Sequence, residues 1–101
     1  MKLLELEPQF ISATERGWQD VSVLSEAQGI YFLCPHCFKK NGSIGTHIIL
    51  VWFANRNVPI DKTPSYRWQA AGSSYNDLTI SPSIDLGIDE WHGFITNGEI
   101  T

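Results

Sequence analysis

The sequence predicts a mainly β fold, with a small α+β arrangement as its nearest variant: one antiparallel-sheet domain with a cysteine knuckle and a C-terminal hairpin. Three observations lead there. The β-branched and aromatic runs are short and are punctuated by Gly, Pro and Asn. The βαβ alternation of a parallel-sheet protein is missing. Near the end of the chain stands Asn97-Gly98, the pair favoured in type I′ hairpin turns because both central residues need positive φ.

The elements follow in order. Leu3 to Ile11 alternates loosely and contains Pro8, which suits a sheet edge. Val21 to Leu24 reads as extended, and Ser25 to Gln28 as one helical turn closed by Gly29. Ile30 to Leu33 is a strand running straight into Cys34. After Cys37 the chain meets Asn41-Gly42 and then Gly45, residues that allow a tight reversal. His47 to Phe53 is the strongest strand, apolar on both faces and so expected at the centre of a sheet. Asn55 to Ser65 is a loop, Tyr66 to Ala70 a strand, and Asp77 to Ser81 a short strand ended by Pro82. Trp91 to Ile95 and Glu99 to Thr101 flank the Asn-Gly turn. At most one or two brief helices fit this plan.

With 101 residues, 43% of them hydrophobic, the chain has the composition of one globular domain over residues 1–101. A core this small gains from a staple such as a metal or a disulfide. Four of the aromatic residues are tryptophan; Trp52 and Trp68 fall on strands and are expected in the core, whereas Trp18 lies in a polar stretch and is expected exposed. The net charge is −4, no Lys or Arg follows Arg67, and Asp77, Asp85, Asp89, Glu90 and Glu99 lie beyond it. This argues against a nucleic-acid partner, and Lys39-Lys40 reads as a solvated edge. No apolar stretch is long enough for a signal peptide or a membrane span, so a cytoplasmic, reducing location is expected.

In that setting the segment Cys34-Pro35-His36-Cys37 has three readings. A thiol–disulfide exchange catalyst needs the first Cys at the N-terminus of a helix that starts at about Pro35 and runs on for several turns. Gly42 and Gly45 make such a helix costly, at about 1 kcal/mol per interior glycine. A structural disulfide is disfavoured in a reducing compartment. A zinc knuckle fits: a strand delivers one thiolate and a reversal delivers the other. Zinc wants four ligands, and the remaining candidates are His47 and His92, with Asp89 as the alternative; His36, inside the knuckle, is expected to point away. The plain alternative is a pair of reduced cysteines packing as small apolar side chains.

Several landmarks occur together: Ala27-Gln28-Gly29, Phe32 to Cys37, Gly45-Thr46-His47, Arg67-Trp68, Leu78-Thr79, Ser81-Pro82-Ser83-Ile84, and Trp91 to Ile95 followed by Asn97-Gly98-Glu99. In order and spacing they resemble an uncharacterised family of small phage and prophage proteins, some labelled ammonia monooxygenase. The resemblance implies zinc ligands at Cys34, Cys37 and His92. Relatives often carry a Cys where this chain has Asp89, so Asp89 would replace it through oxygen or His47 would supply the fourth bond. It also implies a phage accessory protein that acts in the host cytoplasm on a host or phage protein.

Enzyme signatures are few. Cys34, Cys37 and His92 with a water, and Asp89 or Glu90 as base, would formally suit a small zinc hydrolase. The sequence has no His-Glu-x-x-His, no Gly-x-Ser-x-Gly and no phosphate loop. Nothing in it supplies the redox metal and substrate cavity that monooxygenase chemistry needs. The expected function is therefore non-enzymatic, with zinc as a structural clamp.

Overall fold

The first six residues of the chain already show how local sequence becomes packing. Leu3 and Leu6 are fully buried at the two ends of a one-turn 3-10 helix, Leu3–Leu6, while Leu4 and Glu5 face out. The computed structural model describes residues 1–59, 67–85 and 91–101. Four strands form the first antiparallel sheet: β1 (Gln9–Thr14), β2 (Gly17–Asp20), β3 (Gly29–Leu33) and β4 (Ile48–Trp52), in the order β2-β1-β3-β4. The second, equally antiparallel, runs β5-β6-β7-β8 from β5 (Gln69–Ala71), β6 (Thr79–Asp85), β7 (His92–Thr96) and β8 (Glu99–Ile100). The mainly β expectation holds.

Backbone pairing ties the second sheet to the end of β4 and to the first residues of the chain. Phe53 bridges Trp68 in parallel, with Trp68 N–H donating to the Trp52 carbonyl at 3.0 Å. Lys2 bridges Glu99, and Ile100 N–H donates to the Met1 carbonyl at 2.7 Å. Between the sheets lies one apolar core, to which Phe10, Ile30, Phe32, Ile49 and Val51 contribute from the first and Ala70, Ile80, Ile84, Ile95 and Ile100 from the second. In β7 the pattern His92-Gly93-Phe94-Ile95-Thr96 alternates exposed and buried, as a strand with one wetted face must. Tyr75 stacks on Phe10 at 4.1 Å and its hydroxyl accepts the Phe10 N–H at 2.8 Å; burial pushes this phenol above its usual range, a shift the Phe10 N–H opposes.

Several sequence expectations change. Pro8 stands just before β1, and β1 is an inner strand, not an edge. The helical turn near residue 25 is a 3-10 turn, Leu24–Glu26, one residue earlier than read, and Gly29 opens β3 instead of closing a helix. β4 closes the first sheet at one end instead of lying at its centre; Ile49 and Val51 face the core, while on its other face Ile48 is exposed and Leu50 half-buried. Pro82 does not end β6. The strand passes through it because pairing with β7 shifts register between Ile80 and Ile84, where a residue without an N–H is tolerated. Asn97 (φ 48°) and Gly98 (φ 74°) form the expected hairpin turn, pairing Thr96 with Glu99. Trp52 and Trp68 are buried and Trp18 is 42% exposed, as the sequence suggested. The loop read over residues 55–65 and the strand start at Tyr66 lie partly outside the described residues.

Candidate metal centre

The segment between β3 and β4 is the main departure from the sequence reading. It is not an open knuckle but a seven-residue helix, α1 (Pro35–Asn41). Pro35 occupies its first turn, where a missing N–H costs nothing and φ is already helical. Gly42 stops it at φ 67° with its N–H on the Phe38 carbonyl at 2.8 Å, a backbone position that favours glycine. The glycines thus limit the helix to two turns but do not abolish it. Its brevity, and the antiparallel sheet beside it, separate it from a thioredoxin-like arrangement.

Two local rules bring the ligands together. Cys34 is the N-cap of α1 and Cys37 its third residue, two positions whose side chains meet at a helix start, as they do in a capping box. The β3–β4 ladder pairs Leu33 with Ile48. One step further, Cys34 and His47 stand opposite each other, and Cys34 N–H donates to the His47 carbonyl at 2.9 Å. The ladder therefore returns His47 to the cysteines that the helix start has paired.

The sulfurs of Cys34 and Cys37 and a ring nitrogen of His47 all lie within 4.8 Å of one another. Cys37 Sγ is 3.6 Å from His47 Nδ1. Zinc bonds of about 2.3 Å to sulfur and 2.0–2.1 Å to nitrogen, at the tetrahedral angle, give a ligand edge of about 3.5 Å. The donor set and spacing fit a thiophilic divalent ion, and the group could hold a metal. Burial is graded across it: Cys34 is in the core, Cys37 is half-buried and His47 is exposed. Neither cysteine is in a disulfide. Cys34 also packs as a small apolar side chain within the core cluster.

His92, the other histidine expected as a ligand, lies on β7 with its Nε2 3.4 Å from Ser83 Oγ, and it is not a member of this group. The reason is topological: β7 belongs to the second sheet, whereas the three ligands are carried by a hairpin of the first. Asp89 and Glu90, read as alternative ligand and base, lie outside the described residues. His36 is exposed, lines a cleft with His92, and is absent from the metal group, consistent with its expected outward direction. The sequence reading missed the direct Cys34–His47 pairing. Its signal was present: a strand ending at Leu33 and another starting at Ile48 must pair the residues next to them if they form one hairpin.

The chain matches no family model, no curated protein and no solved structure. No helix among the described residues is long and apolar enough to cross a membrane.

Proposed function

We propose that the chain is a non-enzymatic zinc protein in which Cys34, Cys37 and His47 clamp the ion. The observation that carries this reading is the converging triad, with Cys37 Sγ and His47 Nδ1 at a zinc-ligand edge of 3.6 Å. The ion ties the start of α1 to the start of β4, closing the 12-residue excursion between Cys34 and His47. Structural zinc contributes its binding free energy directly to folding, which suits a core of this size. In this role the protein acts through protein contacts as a phage or prophage accessory factor in the host cytoplasm, with a host or phage protein as partner. The landmark resemblance and the half-exposed Trp18 support that part. Metal analysis of protein purified without added zinc tests the clamp. One zinc per chain, with both thiols unreactive until a chelator is added, is the expected result; reactive thiols and no metal would refute it.

One observation favours a second reading. Three protein ligands with an exposed histidine among them also describe a catalytic zinc, whose fourth position holds water. Such an ion would lower the pKa of that water to about 7. Zinc-dependent hydrolysis of an activated ester that disappears in Cys37→Ser would select this reading over the structural one.

A further inference from the structure

The outermost strands of the two sheets are β2, β4, β5 and β8, and three of them are met by another part of the chain. β4 meets Trp68 at its Trp52 end, where the Trp52 carbonyl accepts the Trp68 N–H at 3.0 Å. β5 is covered by Asn55, whose side-chain amide donates to the Ala70 carbonyl at 3.0 Å while its oxygen accepts the Ala70 N–H at 3.2 Å. β8 is bridged by Lys2 at Glu99, and its Ile100 N–H donates to the Met1 carbonyl at 2.7 Å. Against the outer edge of β2, among the described residues, no strand or side chain pairs.

The register says which groups that edge presents. Along an antiparallel strand the N–H and C=O of successive residues point alternately to one neighbour and to the other side. Val21 N–H donates to the Phe10 carbonyl at 2.9 Å, so Val21 faces β1; counting back along β2, so do Gln19 and Gly17. Trp18 and Asp20 therefore turn their N–H and C=O outward. No proline, lysine or bulge interrupts the strand, devices that commonly keep such an edge from pairing. Its side chains are open as well. Trp18 is 42% exposed, with its indole tilted against Tyr31 at 6.4 Å, and Gln19 and Asp20 are exposed.

We propose that β2 pairs antiparallel with β2 of a second copy of the chain, about a two-fold axis at Trp18, so that two four-stranded sheets join into one. The charges select this occupant and this register. With the axis at Trp18, residue 16 of each copy stands opposite residue 20 of the other, so Arg16 meets Asp20 twice by symmetry. Both side chains are exposed, and among the described residues neither is in a salt bridge. Glu15, the other turn residue, falls opposite Val21. An axis at Asp20 would set two carboxylates face to face, which destabilises a cross-strand pair. An axis at Gln19 would set each carboxylate against an indole and leave Arg16 opposite Ser22. At Trp18 the two residues on the axis exchange both backbone hydrogen bonds, as an antiparallel pair with outward N–H and C=O does. Their indoles then stand side by side, a favourable cross-strand aromatic pair. The contact is small, so the dimer forms and parts with concentration. It does not rest on the metal, and it makes the chain's own copy the partner that Trp18 meets.

Sedimentation equilibrium of the full chain up to millimolar concentration tests this, and the parent should show a monomer–dimer equilibrium that closes at two copies. Arg16→Asp and Asp20→Arg, each alone, bring like charges together at both ends of the contact and should weaken dimerisation at least about tenfold. Mixed in equal amounts, the two variants should form a heterodimer about as tight as the parent, because every pair between residues 16 and 20 is again opposite in charge. Circular dichroism should show the parent fold in both, since the two positions are exposed. A parent that stays monomeric throughout would overturn the proposal and leave the edge to a strand of another protein. Dimerisation indifferent to both charge reversals, or no recovery on mixing, would overturn β2 as the contact. Growth beyond two copies would overturn the closed two-fold pairing.

Discussion

The two faces of α1 are built by different means. The metal face is local. Cys34 and Cys37 meet because one caps the helix and the other stands in its first turn, and His47 joins them through the next step of an adjacent ladder. The cleft face is remote. Pro35, His36 and Lys39 meet Trp91 and His92 across more than fifty residues of chain, through a hairpin of the other sheet. A site made by short spacing and register can be read in sequence and can be assembled by a metal. A site made by long-range packing needs the whole core in place first.

The sharpest way to break this contrast is to remove a ligand. Cys34→Ser should lower the melting temperature of the zinc-loaded protein by about 10 °C or more, since loss of a structural metal removes several kcal/mol and each kcal/mol is worth about 4–8 °C in a domain of this size. The same variant should melt alike with and without chelator in calorimetry. If it melts like the parent, the metal face contributes nothing to folding.

Overfilling the other face should cost less. Gly93→Val places side-chain atoms where Trp91 lies, with the first of them 2.5 Å from the ring. Overpacking of this kind costs about 1–3 kcal/mol, and thermal denaturation should show it as a modest loss. Metal stoichiometry should not change, because the two faces share a helix but no side chain. Loss of zinc in this variant would show that the faces are coupled.

How much was legible follows the same division. The two strands around the Asn97-Gly98 turn and the strand leading into Cys34 are legible from residues one or two apart, and the structure has them, with the first of the pair starting one residue later, at His92. His47 could be chosen because it starts an apolar strand. His92 is a candidate because zinc wants a fourth ligand and the resemblance adds weight to it, but topology places it on the second sheet. α1 was missed because two nearby glycines were weighed as interior residues, when one of them, Gly42, is the stop signal. Pro82 was read as a strand end because a register shift between Ile80 and Ile84 leaves no local trace. The cleft could not be read at all, since nothing in the sequence ties Lys39 to Trp91.

Between the two faces, exposure also ranks the ligands. His47→Ala removes the exposed member of the group, so it should weaken zinc binding while the metal-free protein melts within about 2 °C of the metal-free parent. Competition with a chromophoric chelator, paired with calorimetry, measures both. A large loss of stability without metal would mean that His47 serves the fold and not the ion.

Acid gives the smallest effect. Asp77 accepts the backbone N–H groups of Ser73 and Ser74, at 2.9 and 2.8 Å, and the Ser73 hydroxyl, which hold its carboxyl down at about 2. Its folded value lies below the unfolded value of 3.8, so its contribution is complete above about pH 4 and disappears as pH falls towards 2. Zinc release by protons competing for thiolate and imidazole should come at higher pH. Asp77→Asn should therefore remove only the lower of two acid steps seen by circular dichroism. Loss of the upper step instead would place the acid sensitivity of the metal face in the wrong residues.

The most direct test of the central claim is zinc affinity and stoichiometry, measured by chelator competition on the parent, His47→Ala and His92→Ala. One zinc per chain, weakened by His47→Ala and unaffected by His92→Ala, is the predicted result. Undiminished binding in His47→Ala together with loss in His92→Ala would contradict the metal centre described here.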